Sequence, residues 1–149
     1  MPNLYKELHD KHQAEINAFP FGFAFSQKQF DQMMVERFNF TPTDTDKIYS
    51  IGGGGYIRKE DHQAMRDMFE RHAKEKKNAI AADLTGDGYI YDMFVYELTN
   101  HEYMITMTSD DTLDALGLTW EDVKADTRLS HGLKKAKKYI IEKSHNNMV

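Results

Sequence analysis

The segment KIYSIGGGGYIRK sets four consecutive glycines, Gly52–Gly55, between two short apolar runs. Residues without a Cβ suit positions where φ must be positive, so the expectation is a hairpin turn joining strands Lys47–Ile51 and Tyr56–Arg58. Two glycines satisfy such a turn. The extra pair costs entropy in the unfolded chain and implies either a bulge or the close approach of another group. Bare amides can also form a concave nest for an anion, with Arg58 and Lys59 supplying charge and Tyr56 a ring. The phosphate-loop pattern G-x-x-x-x-G-K-[ST] is absent, and a strand rather than a helix follows the run. The candidate binding surface read here is Gly52, Gly53, Gly54, Gly55, Tyr56, Arg58 and Lys59.

Helical patterns dominate the rest of the chain. Over residues 3–18, Asn3 stands as cap, Leu4, Leu8, His12 and Ile16 form a stripe, and Pro20 ends the helix. Phe19, Phe21, Phe23 and Phe25 alternate, which predicts a short extended segment with one buried aromatic face. Ser26 and Gln29 form a capping box for a helix reaching Phe38. A polar loop, 41–46, precedes the hairpin, and a long helix spans about Glu60 to Ala82 with Met65, Met68, Phe69 and His72 facing inward. Gly86 and Gly88 break it before a helix over Tyr89–Asn100. Three short helices finish the chain: one capped by Ser109 and closed by Gly117, one opened by Thr119 and Asp122, and one opened by Ser130 with Leu133, Ala136, Ile140 and Ile141 inside. The lysines of HGLKKAKK, 134, 135, 137 and 138, read as a solvated face, and residues 144–149 as a frayed tail. The expected fold is α+β: a helix-rich single domain over 1–149 with a small antiparallel hairpin. Its core holds Phe23, Phe25, Phe30, Met65, Phe69, Met93 and Leu116.

Two motifs invite chemistry. In DLTGDGYI, Asp83, Thr85, Asp87 and Gly88 match positions 1, 3, 5 and 6 of a calcium loop, but position 12 is Phe94 where a bidentate glutamate is required. The loop therefore reads as a turn between helices, with Asp87 near the positive end of the second. In YELTNHEY, Glu97 and His101 stand one helical turn apart, with Glu102 next to His101. They form a polar cluster for binding or acid–base work, and a structural Glu–His pair is the plainer reading. Two ligands do not make a metal site, and no nucleophile motif accompanies them, so no catalytic residue, metal ligand or cofactor is assigned.

The chain has 149 residues, no cysteine and a net charge of −5. That balance argues against non-specific nucleic-acid binding, which needs a basic surface, and the absence of a long apolar window argues against a membrane span. A protein acting in the cytosol is expected.

Five stretches carry a resemblance: FAFSQKQF (23–30), DKIYSIGGGGYIRK (46–59), IAADLTGDGYIYDMFVYELTNHEY (80–103), TLDALGLTWEDV (112–123) and HGLKKAKK (131–138). Together they resemble a family of small phage and mobile-element proteins of Gram-positive and gut bacteria, similar to phage-encoded type II-A anti-CRISPR proteins. The resemblance implies an anti-defence protein in the host cytosol. It would bind an immune effector or nuclease complex stoichiometrically, most simply the type II RNA-guided nuclease. Asp44, Asp46, Asp83, Asp87, Asp110 and Asp111 would then present acidic charge to a basic nucleic-acid groove. Two alternatives stand beside it. One is a homo-oligomeric sponge that sequesters a cyclic-nucleotide signal on the glycine loop. The other is a small metal-dependent phosphodiesterase built on Glu97, His101 and Glu102.

Overall fold

The computed structural model describes residues 2–147. The fold is α+β, mostly helical, with one small antiparallel sheet. Its contacts group into two compact units, Gln13–Lys74 and Met1–His12 together with Glu75–Val149. The boundaries fall within two helices, α1 (Leu4–Ala18) and α3 (His62–Ala82).

In the unit of Gln13–Lys74, β1 (Gly22–Phe23), β2 (Ile48–Gly52) and β3 (Gly55–Arg58) form a sheet of order β1-β3-β2. The expected hairpin is present and gains a third strand: Gly22 registers with Tyr56 and Phe23 with Gly55. One sheet face packs on α2 (Gln27–Gln32) and the wider turn that continues it, Met33–Arg37, where the Phe38 amide reaches back five residues to the Met33 carbonyl. Ala24, Met33, Met34, Phe38 and Ile48 are buried there, with Phe30 and Tyr56 packed against them. Ser26 caps α2 by accepting the Gln29 amide. The Gln29 side chain accepts the Phe25 amide rather than that of Ser26, so the box is displaced by one residue.

The aromatic alternation faces the other way from the expectation. Gly22 and Ala24 turn inward, while Phe23 and Phe25 are exposed, at 61% and 75%. The reason is space: a Cβ on Gly22 would lie 2.6 Å from Met33 Sδ and 2.7 Å from the Phe38 ring. With those side chains filling the interior, only small residues fit on the inner face. Phe30 and Met65 are half-buried, and Phe69 is 42% exposed.

The other unit is built on α4 (Tyr89–Asn100) and α8 (Thr127–Asn147). The shorter helices α5 (Tyr103–Thr106), α6 (Asp110–Ala115) and α7 (Trp120–Ala125) complete it. Ile90, Met93, Phe94 and Leu98 of α4 meet Leu129, Leu133, Ala136 and Ile140 of α8 in one core, and Leu116 packs on its edge. Gly132 permits this approach, since a Cβ there would fall 2.6 Å from Ile90 Cγ2. Thr119 and Asp122 make both halves of the expected capping box. Ser109 is buried but makes no side-chain cap. The last helix begins three residues before Ser130 and continues through Ser144–Asn147, where fraying is the expectation from sequence. Residues 148 and 149 lie outside the described residues. Ile141 is 40% exposed rather than inside. No described helix is long and apolar enough to cross a membrane.

Candidate functional site

The glycine run is a tight turn set on a bulge. Gly52 pairs with Gly55, Gly53 and Gly54 form the two-residue loop, and the register shifts between Ser50 and Gly52. Gly52, Gly53 and Gly54 have φ of +87°, +59° and +78°. Positive φ at both loop positions is what a type I′ hairpin turn requires. The surplus glycines also accommodate a neighbour. The Ala24 amide donates to the Gly54 carbonyl, which brings Phe25 over the turn; a Cβ on Gly54 would sit 2.4 Å from its ring. A Cβ on Gly55 would lie 3.0 Å from Ile51 Cγ1. Phe23, Phe25 and Ile51 are all exposed around this bare backbone.

The two loop glycines can be separated experimentally. Gly53 has open space around it, so Gly53→Ala should cost about 1–2 kcal/mol through left-handed strain alone. Gly54→Ala adds displacement of the Phe25 ring and should cost roughly 1 kcal/mol more. In a Phe25→Ala background that difference should vanish in urea denaturation. Its persistence would mean that the ring is not what Gly54 accommodates.

The polar part of the predicted surface is already engaged. Arg58 Nε lies 2.9 Å from Asp61 Oδ2 and 3.4 Å from Glu60 Oε1, which compensates its charge. Lys59 Nζ sits 5.0 Å above the Tyr49 ring. Tyr56 packs edge-on against Phe30, centroids 5.4 Å apart. What the hairpin presents is therefore mainly apolar and aromatic. Sequence reasoning missed Phe23, Phe25 and Ile51 as surface residues; the signal for the two rings was the small partner set, Gly22 and Ala24, on the opposite phase of the alternation.

The Glu97 cluster is partly assembled. Glu97 is buried, and Tyr5 donates its hydroxyl to Glu97 Oε1 at 2.8 Å. His101 Nε2 approaches Glu97 Oε2 to 3.2 Å, yet the atom is sealed from solvent without hydrogen-bond alignment. Tyr5 also meets the Tyr89 and Tyr96 rings at 5.8 and 5.2 Å. Glu102 does not join: it is exposed, at φ +53°, in the turn between α4 and α5. Among the described residues no three histidine, aspartate or glutamate side chains converge as metal ligands.

Burial, followed by the Glu97 hydrogen bond, holds the Tyr5 phenol well above its ordinary range, and burial pushes Tyr89 up to about 12. Raised phenol pKa values favour the folded state below the unfolded value of about 10, and that contribution is lost as pH rises through the folded value. Stability should therefore fall between about pH 10 and 12, with a shallower alkaline limb in Tyr89→Phe. Chemical denaturation across that range, with absorbance at 295 nm, checks this. An identical limb in the variant would refute the burial account.

The loop after α3 has a structural task. Asp83 Oδ1 accepts the amides of Thr85 and Gly86, and Oδ2 those of Gly88 and Ile90. Burial raises the Asp83 carboxyl, but these four bonds outweigh it and hold the group below the usual carboxylate range. Asp83, rather than Asp87, thus caps α4. Asp87 instead binds Lys135 Nζ at 2.9 Å and His131 Nε2 at 2.7 Å, and both hold its carboxyl low. Asp110 accepts the Trp120 indole, and Asp44 the Thr41 amide. Of the six aspartates expected to present charge, four are thus turned to local bonds; Asp46 and Asp111 are exposed.

These features define a small α+β protein with an exposed apolar hairpin surface. The chain belongs to the family described as "Family of unknown function (DUF7659)", whose pattern it matches over residues 4–139. No curated protein and no solved structure matches it.

Proposed function

We propose that this protein acts by stoichiometric binding of a protein partner through the hairpin face, and that its target is a bacterial immune effector of the type II RNA-guided nuclease class. The observation that carries the binding mode is the exposure of Phe23 and Phe25 beside a glycine turn that one of the rings covers. Aromatic rings bring large contact area at low conformational-entropy cost, and exposed apolar patches mark interaction surfaces. The choice of target rests on the resemblance of the five sequence stretches. The engaged aspartates favour apolar contact over mimicry of nucleic-acid charge, and the pairing of Arg58 weighs against a phosphate ligand on the hairpin.

The test is a double variant, Phe23→Ser with Phe25→Ser, beside Arg58→Ala. Phe23 and Phe25 are exposed, whereas Arg58 is part-buried and paired with Asp61, so thermal denaturation is measured on both variants to confirm that each is folded. Transformation by a targeted plasmid is measured in cells carrying a type II nuclease. The wild-type protein should raise transformation, the double variant should lose at least tenfold of that protection, and Arg58→Ala should retain it. Loss in Arg58→Ala alone would replace the apolar surface with an anion-binding one. No protection by the wild type would remove the nuclease as target.

A further inference from the structure

A concave surface lies in the unit that contains α4 and α8. It is a groove of about 810 Å³ walled by Leu4 and Leu8 of α1, Ala79 and Ala82 of α3, Leu84 of the following loop, and Tyr89. That volume falls within the range of small-molecule sites, and the lining is of the kind they use: apolar walls with few polar groups. Tyr89 is only 7% exposed, and its hydroxyl makes no hydrogen bond with any described residue. The hydroxyl is also not among the unpartnered atoms sealed from solvent. The hydroxyl of this nearly buried ring therefore reaches solvent, and a ligand acceptor in the groove can replace water as its partner.

Charge narrows the ligand. The lining contains two carboxylates, Glu75 and Asp83, and no lysine or arginine. An anionic head group would meet like charge with no counterion. A cation would find both carboxylates taken, Asp83 by four backbone amides and Glu75 by His12 at 3.1 Å. We infer that this groove is a binding site for a neutral, apolar small molecule carrying a carbonyl or other hydrogen-bond acceptor, which the Tyr89 hydroxyl engages.

The probe is 6-propionyl-2-dimethylaminonaphthalene, a neutral naphthalene ketone whose emission shifts to the red when its carbonyl accepts a hydrogen bond. The wild-type protein should bind it saturably at one site. Ala82→Trp, at an exposed helix end, fills the groove and should weaken binding at least tenfold; Leu84→Asp, at an exposed loop position, should do the same by placing charge on the wall. Tyr89→Phe should weaken binding several-fold and shift the bound emission to the blue. The anionic analogue 1-anilinonaphthalene-8-sulfonate should bind at least tenfold more weakly than the ketone. Absence of saturable binding, or binding indifferent to both Ala82→Trp and Leu84→Asp, overturns the site. Unchanged emission in Tyr89→Phe overturns the role of the hydroxyl. None of these readouts depends on the hairpin residues, so the two proposals fail separately.

Discussion

Alanine at Gly86 should destabilise the protein by at least about 3 kcal/mol, far more than a surface loop substitution. Two costs combine. Gly86 has φ +90°, where an L-residue pays about 1–2 kcal/mol. Its Cβ would also stand 2.3 Å from the Arg128 carbonyl oxygen, a backbone atom that cannot swing aside. Relief requires the loop to leave α8. That would disturb the four amides on Asp83 and the Arg128 guanidinium, whose Nη1 donates to the Ile80 and Asp83 carbonyls at 3.0 and 2.8 Å and closes the end of α3. Gly117→Ala is the control: φ is +70°, but nothing lies within 4 Å of the added atom, so only the strain of about 1–2 kcal/mol should appear. Urea denaturation of the two variants decides it. Equal losses would mean that the loop yields freely and that its contact with α8 is weak.

Phe94→Ala should cost about 3–5 kcal/mol, since the ring is fully buried in the α4–α8 core and its removal leaves a cavity. Phe69→Ala should cost less than about 2 kcal/mol, because the Phe69 ring is already 42% exposed and little apolar area returns to water. The ordering separates the core found here from the one periodicity alone suggests, which placed Phe69 inside and made no use of Phe94 beyond its misfit in a calcium loop. A larger loss for Phe69 than for Phe94 would reverse the assignment.

That contrast shows where sequence reasoning holds and where it stops. Helix periodicity located α1, α3 and α4, and the Thr119–Asp122 pair located α7, because caps and 3.6-residue stripes are local properties of the chain. The glycine run announced both its turn and its surplus. Strand alternation is different: a period of two defines two faces without saying which is inside. Ring size favoured Phe23 and Phe25, but the decision belonged to Met33 and Phe38, which arrive from another element and leave room only for Gly22 and Ala24. The calcium-like loop misled in a similar way. Its aspartate and glycines do organise around a centre, but Asp83 gathers backbone amides there. Only the fold could reveal the groove beside Tyr89, since its walls come from residues about eighty positions apart in sequence.

The division of the chain also sets an order of events during synthesis. Residues 13–74 are contiguous and complete once Lys74 has emerged, so that unit can fold while the rest is still being made. The first turns of α1 have no such option. Asn3 and Tyr5 find their partners, Asp92 and Glu97, roughly ninety residues later, and α8, which closes their core, follows later still. A nascent chain halted after α3 should therefore protect the hairpin from protease while leaving its N-terminal turns open to cleavage. Those turns become resistant only once α8 has emerged as well.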